Sequence, residues 1–282
     1  MGYAIKAIRL FARYWFGSGF SRVCLIITSL LLANTAGVIA QDDAARGAIL
    51  YATSGTFGTE GILYTLDPAT GLVLTTVGPV QDAAGNSYGI TGFKYDWTSG
   101  TVYGVTGRGS PTYPSSFVIL DLSTALVTPI GPLDAIVTDV AINPRSGIIY
   151  ALAEFDENFY SIDVSTGQAV QIGSTGIDLT NQGGLAADRN GALFGVTDFS
   201  LYRFNNKTGR ATLIGPTGLQ NLIKAAAFSP RHILYGLEGG GGRDDPHLRW
   251  LVIFDLATGK GTRVGQINAN DLGAIAFVPV KR

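Results

Sequence analysis

The sequence predicts an all-β fold: a five-bladed β-propeller, four antiparallel strands per blade, closed by the C-terminal strand joining the first blade. Three observations predict it. One turn motif recurs five times, each copy lies within the same run of strand-like segments, and the two ends of the repeat region are complementary parts of one blade.

The N-terminal forty residues stand apart from the rest. Lys6, Arg9, Arg13 and Arg22, with no acid among them, precede an apolar run from Val23 to Ala33, and small residues follow as far as Val38-Ile39-Ala40. That order predicts a signal peptide over 1–40, cleaved near Ala40, and hence an exported chain, periplasmic or extracellular. The alternative is an N-terminal membrane anchor, but the run is well short of the ~20 apolar residues that span a bilayer. Residues 41–46 form a short linker, and 47–282 form the single propeller domain.

Beyond residue 40 there is no cysteine and no methionine, so disulfides and thiol chemistry are excluded. Sixteen bases against 21 acids leave that part at −5, without the basic face that a nucleic-acid partner requires. Glycine is abundant at 38 residues, as many tight turns between short strands demand.

The repeated turns are Leu66-Asp67-Pro68-Ala69-Thr70-Gly71, Leu120-Asp121-Leu122-Ser123-Thr124-Ala125, Ile162-Asp163-Val164-Ser165-Thr166-Gly167, Phe204-Asn205-Asn206-Lys207-Thr208-Gly209 and Phe254-Asp255-Leu256-Ala257-Thr258-Gly259. The Asp or Asn side chain can accept the turn's N–H groups, and the closing glycine can adopt the left-handed conformation; Ala125 departs from this once. A further glycine follows ten or eleven residues after each Asp or Asn: Gly78, Gly131, Gly173, Gly215 and Gly265. Before each turn comes a strand ending in an aromatic and a small residue, such as Tyr103-Gly104 or Tyr235-Gly236, and before that an apolar strand such as Val137–Ile142. Each unit therefore reads as strands A to D, at spacings of 54, 42, 42 and 50 residues. The first unit, from Gly47, lacks strand A, while the chain ends on a lone strand A, Leu272–Phe277. Joining them closes the ring and removes free sheet edges.

These blades resemble those of bacterial exported β-propeller proteins, mostly of unknown function, which read Leu-Tyr-x-x-Asp-x-x-Thr-Gly followed by Ile/Val-Gly; the resemblance covers Gly47 to Phe277. It implies blade construction, not an activity. Quinoprotein propellers are similar in the Asp-x-x-Thr-Gly step but carry a docking tryptophan after it, where this chain has Val77-Gly78 or Ile214-Gly215. Asn181-Gln182-Gly183-Gly184-Leu185 faintly resembles five-bladed glutaminyl cyclotransferases, without the carboxylate that should follow, since Ala186 and Ala187 stand there.

With strand A running downward, A–B and C–D turns lie below, alike in every blade, while variable B–C and D–A loops lie above. Function is expected on the variable loops. Thirteen acids fall on the upper side, including Asp134, Glu154, Glu238 and Asp271, against Arg108, Lys224, Arg243 and Arg249, a net −9. Such a face favours a cation or a basic partner. Ligand-binding candidates there are Asp139, Asn181, Lys224, Asp271, Arg108, Glu154, Arg243, Asp245 and His247. Asp139 and Asp271 are expected at the channel mouth and are the candidate metal ligands, with Ca2+ as the ion because hard cations collect carboxylate oxygens.

Catalytic patterns are weak. Gly85-Asn86-Ser87-Tyr88-Gly89 matches a nucleophile elbow in form but leads into a strand with no helix behind it. Only His232 and His247 could act as imidazole bases, and Asp244 and Asp245 are adjacent rather than opposed. The sequence thus leads to a monomeric, non-catalytic propeller that binds a protein, carbohydrate or small ligand on its upper face, with no cofactor firmly implied. The alternative is a lactonase- or cyclotransferase-like hydrolase or lyase working through upper-face carboxylates, with or without a metal.

Overall fold

A computed structural model describes residues 47–55, 60–179, 183–239 and 248–280. The signal peptide and linker fall outside the described residues, as do Asn181, Arg243, Asp245 and His247.

Five four-stranded antiparallel sheets make up this region. Blade 1 holds β1 (Ala48–Thr53), β2 (Ile62–Leu66), β3 (Val73–Pro79) and, from the far end of the chain, β20 (Ala274–Pro279). Blade 2 is β4 (Ile90–Tyr95), β5 (Val102–Thr106), β6 (Ser116–Leu120) and β7 (Val127–Pro132). Blade 3 is β8 (Val137–Ile142), β9 (Ile149–Ala153), β10 (Asn158–Ile162) and β11 (Ala169–Ser174). Blade 4 is β12 (Gly184–Ala187), β13 (Leu193–Thr197), β14 (Ser200–Phe204) and β15 (Ala211–Pro216). Blade 5 is β16 (Ile223–Phe228), β17 (Leu234–Gly239), β18 (Arg249–Phe254) and β19 (Gly261–Ile267). The predicted closure is present: β20 runs antiparallel to β1 with Ala52 opposite Ile275 and Ile49 opposite Val278.

The C–D turns form as their chemistry requires. Asp67 Oδ1 accepts the Ala69 N–H at 2.9 Å, and Asp163, Asn205 and Asp255 accept in the same way from Ser165, Lys207 and Ala257. The closing residue is left-handed throughout, at φ +78° for Gly71 and +60° for Ala125, the one copy that is not glycine.

The second glycine of each repeat has a separate task. A β carbon on Gly131 would stand 2.0 Å from the Thr166 carbonyl oxygen, and one on Gly215 would stand 2.2 Å from that of Thr258. The missing side chain lets the next blade's turn dock against strand D. Beside three of these contacts a backbone bond staples the blades, Ala169 N–H to Leu133 O, Ala211 N–H to Thr175 O and Gly261 N–H to Thr217 O, and at the fourth, Gly265 against Thr70, Val73 N–H donates to the Asn268 side chain. Between blades 1 and 2, where Ala125 stands, the acceptor shifts to Gln81 O and a β carbon on Gly78 would meet nothing within 4 Å.

The core lies between blades. Tyr150, Phe159 and Phe204 stack in series with ring centroids 5.7 and 5.4 Å apart, joining blades 3 and 4. Such pairs add about 0.5–1.5 kcal/mol each beyond simple burial.

Candidate functional site

The channel is filled at its middle by an ion pair. Lys94 on β4 and Asp139 on β8 are both buried, Nζ to Oδ1 2.7 Å. Oδ1 also accepts the Val140 N–H at 2.9 Å, and Oδ2 accepts the N–H groups of Leu185 at 2.9 Å and Ala226 at 3.1 Å. Lys94 Nζ donates in addition to the Ile275 carbonyl at 3.3 Å. The pair therefore touches the innermost strand of every blade: β4, β8, β12, β16 and β20. The neighbouring residues are small so that these side chains fit, and a β carbon on Gly92 would fall 2.7 Å from Asp139 Oδ1. Burial pushes the Asp139 carboxyl up and the Lys94 ammonium down, and each is opposed by the charge of the other. The N–H groups of Leu185 and Ala226 act on Asp139 in the same sense as the Lys94 charge, against burial.

This placement corrects the expectation for Asp139. It lies inside the channel and not at its mouth, and its oxygens are taken by an ammonium and three amides, the geometry of a structural anchor and not of an ion ligand. Asp271, half-buried at φ +56°, sits on the loop leading to β20. No group of three His, Cys, Asp or Glu side chains converges among the described residues.

Three other candidates do come together above the plug. Arg108, on the loop after β5, has Nε 3.9 Å from Glu154 Oε2 and its guanidinium 5.2 Å from the centre of the Phe155 ring. Lys224, buried near the top of β16, is close enough to act on Glu154 across the mouth. Burial raises the Glu154 carboxyl above its ordinary value, and Arg108 and Lys224 only partly offset this.

The B–C loops also carry three exposed aromatic residues that sequence reasoning missed, one of them, Phe155, within this cluster. Tyr113, Phe155 and Phe199 are 55%, 60% and 44% exposed, each on a B–C loop, at φ +45°, +61° and +65°. In blade 4 the loop is only Asp198-Phe199, both left-handed, a tight hairpin of the kind usually built from Asn-Gly. A bulky side chain in that region costs about 1–2 kcal/mol. The recurring acid-aromatic step, Glu154-Phe155 and Asp198-Phe199, is the signal in the sequence that could have found two of them; Tyr113 follows Thr112 and carries no such signal.

The upper-face charge count also needs correcting. Buried Glu238 is clamped by Arg263, Nε to Oε2 2.6 Å and Nη2 to Oε1 2.7 Å, and Arg263 stacks 4.6 Å over Trp250. Burial raises the Glu238 carboxyl, but Arg263 and Asn221 together outweigh it and hold the group below its ordinary value. Glu238 and Asp139 are thus neutralised internally by Arg263 and Lys94.

Fold and site together define a five-bladed propeller whose axis holds a buried ion pair and whose B–C loops carry exposed aromatic rings. The chain is similar in fold to a chain in the crystal structure of a nidogen/laminin complex, with TM-score 0.55 and 13% identity over 84% of this chain and 100% of that one. It is similar also to TolB from Acinetobacter baumannii, with TM-score 0.50 and 14% identity over 83% of this chain and 67% of that one. A structural-genomics protein of unknown function from Bacteroides thetaiotaomicron gives 0.50 and 14% over 80% and 59%. No family model matches the sequence, and no curated protein does. These likenesses establish the propeller fold. Among the described residues, no helix is long and apolar enough to cross a membrane.

Proposed function

We propose that this protein is an exported, non-catalytic binding propeller whose upper face takes a basic protein segment bearing apolar side chains. The observation that carries this reading is the trio Tyr113, Phe155 and Phe199, held out to solvent on left-handed backbone. Tyr113 stacks on buried Tyr88 and Phe155 meets Arg108, but an aromatic ring about half exposed at a strained position returns little more than such single contacts to folding, whereas aromatic anchors are what protein interfaces concentrate. Arg108 stacked on Phe155 fixes one anchor in place, and the surrounding acids favour a positively charged partner. Export rests on the N-terminal pattern of bases, apolar run and small residues.

A random-peptide display selection on the immobilised purified protein tests this. Enriched peptides should be basic with one or two large apolar residues. Changing Tyr113, Phe155 and Phe199 together to Ser should weaken their binding by at least about tenfold, with circular dichroism unchanged. Peptides that lack positive charge, or that bind the triple variant equally well, would contradict the proposal.

A further inference from the structure

The opposite end of the channel carries a cavity that the upper-face reading does not use. The lower ends of the inner strands bring Tyr95, Ile142, Ala187, Phe228 and Phe277 together, and the A–B turns continue from them. A cup of about 310 Å3 opens there, and a smaller extension of about 50 Å3 with shared walls reaches Lys94. At its rim Trp97 is 53% exposed, its indole edge-on to Tyr95 at 5.1 Å. Trp97 is preset, because Asp96 caps its turn by accepting from Thr98 N–H and from the Thr98 and Ser99 hydroxyls.

Across the cup, Asp188 uses only one oxygen for structure: Oδ1 accepts the N–H groups of Asn190 and Ala192, both at 2.8 Å. Among the described residues Oδ2 accepts no hydrogen bond, and His232 Nε2 stands 3.8 Å away. His232 lies flat on Phe228 at 5.1 Å with left-handed backbone at φ +68°, and its buried Nδ1 has no hydrogen-bond partner among the described residues. Asp188, with one carboxylate oxygen left over from its turn, lines this aromatic-walled space, an arrangement costly for the fold and useful for a ligand.

We propose that this lower cup is a carbohydrate site that takes a neutral pyranose ring. A pyranose presents a C–H face that packs on Trp97 and an edge of hydroxyls that can donate to Asp188 Oδ2. A hydrocarbon would leave that oxygen unsatisfied. Lys94, at the bottom of the extension, is already paired with Asp139, so no buried charge in the cup calls for an ionic ligand.

Ligand-observed saturation-transfer NMR and tryptophan fluorescence, with the methyl pyranosides of glucose, galactose, mannose and N-acetylglucosamine as probes, test the site. At least one should bind saturably at millimolar concentration or below. Both Trp97→Ala and Asp188→Asn should weaken that probe at least about tenfold; the Asn variant keeps the oxygen that caps the turn. Loss of binding in both variants with unchanged thermal unfolding is the expected result. No saturable binding of any probe, binding that survives both substitutions, or binding of indole or benzoate in place of the sugars would overturn the proposal.

Discussion

Gly265 and Thr70 meet at the seam where the last blade closes on the first: a β carbon on Gly265 would stand 1.9 Å from the Thr70 carbonyl oxygen. The same contact, strand-D glycine against the next blade's turn, recurs at Gly131, Gly173 and Gly215. Because the opposing atom belongs to the backbone, no rotamer change relieves the clash. Gly265→Ala should lower stability by about 1–3 kcal/mol through overpacking, read as a drop in the midpoint of urea unfolding. An unchanged midpoint would mean that the seam is looser than described.

Phe159 occupies the middle of the stack that joins blades 3 and 4, fully buried between Tyr150 and Phe204. Phe159→Ala removes both ring contacts and opens a cavity where neither neighbour can collapse. A loss of about 3–5 kcal/mol is expected in chemical denaturation.

Phe199 should behave in the opposite sense. Its ring is 44% exposed and its backbone sits at φ +65°, so little burial is lost and strain is relieved when glycine replaces it. Phe199→Gly should stabilise the fold by about 1 kcal/mol, a rise of about 2–4 °C in Tm for a chain of this size. It should at the same time weaken the peptides selected on the upper face.

The clamp on Glu238 sets a pH dependence. Its carboxyl is held below the ordinary value, so its stabilisation is fully present above the unfolded pKa of roughly 4.3 and is lost as pH falls through the lower folded value. Stability measured between pH 5 and pH 2 should therefore fall less steeply in Glu238→Gln, which cannot titrate, than in the native protein. Parallel curves would show that Arg263 does not act on this group.

The blades and their closure are legible in the sequence because local chemistry writes them. Asp67 and its counterparts need a turn N–H, Gly71 needs left-handed backbone, and Leu272–Phe277 needs a partner sheet. The axis is harder to read. Lys94 stands where the other inner strands carry Ala141, Ala186, Ala227 and Ala276, and periodicity within one blade does not say that its ammonium reaches Asp139 of the next. Charges within apolar inner strands, Lys94 and Lys224 against Asp139, were the available clue, since a buried carboxylate demands a cation. The Glu238–Arg263 clamp escapes sequence reasoning for another reason. A bulge between Leu251 and Val252 shifts the β18–β19 register, so strand counting from the turn misplaces Arg263. The lower cup is hidden in the same way, because turns that repeat as scaffold differ in the one residue, Trp97, that each presents to the axis.

Removing one member of the axial pair should cost more than removing both. Asp139→Ala leaves Lys94 charged and uncompensated, at about 3–5 kcal/mol. In a double-mutant cycle, Asp139→Ala and Lys94→Met should show a coupling of about 1–3 kcal/mol.

The most direct measurement is amide hydrogen exchange at Leu185 and Ala226, the two N–H groups from separate blades that Asp139 Oδ2 accepts. Both should be among the slowest amides in the native protein. Both should accelerate by at least about tenfold in the Lys94→Met/Asp139→Leu variant, beyond any change in the ladder amides of the outer strands. Fast exchange at either position in the native protein, or equal rates in the two proteins, would contradict a channel sealed by this pair.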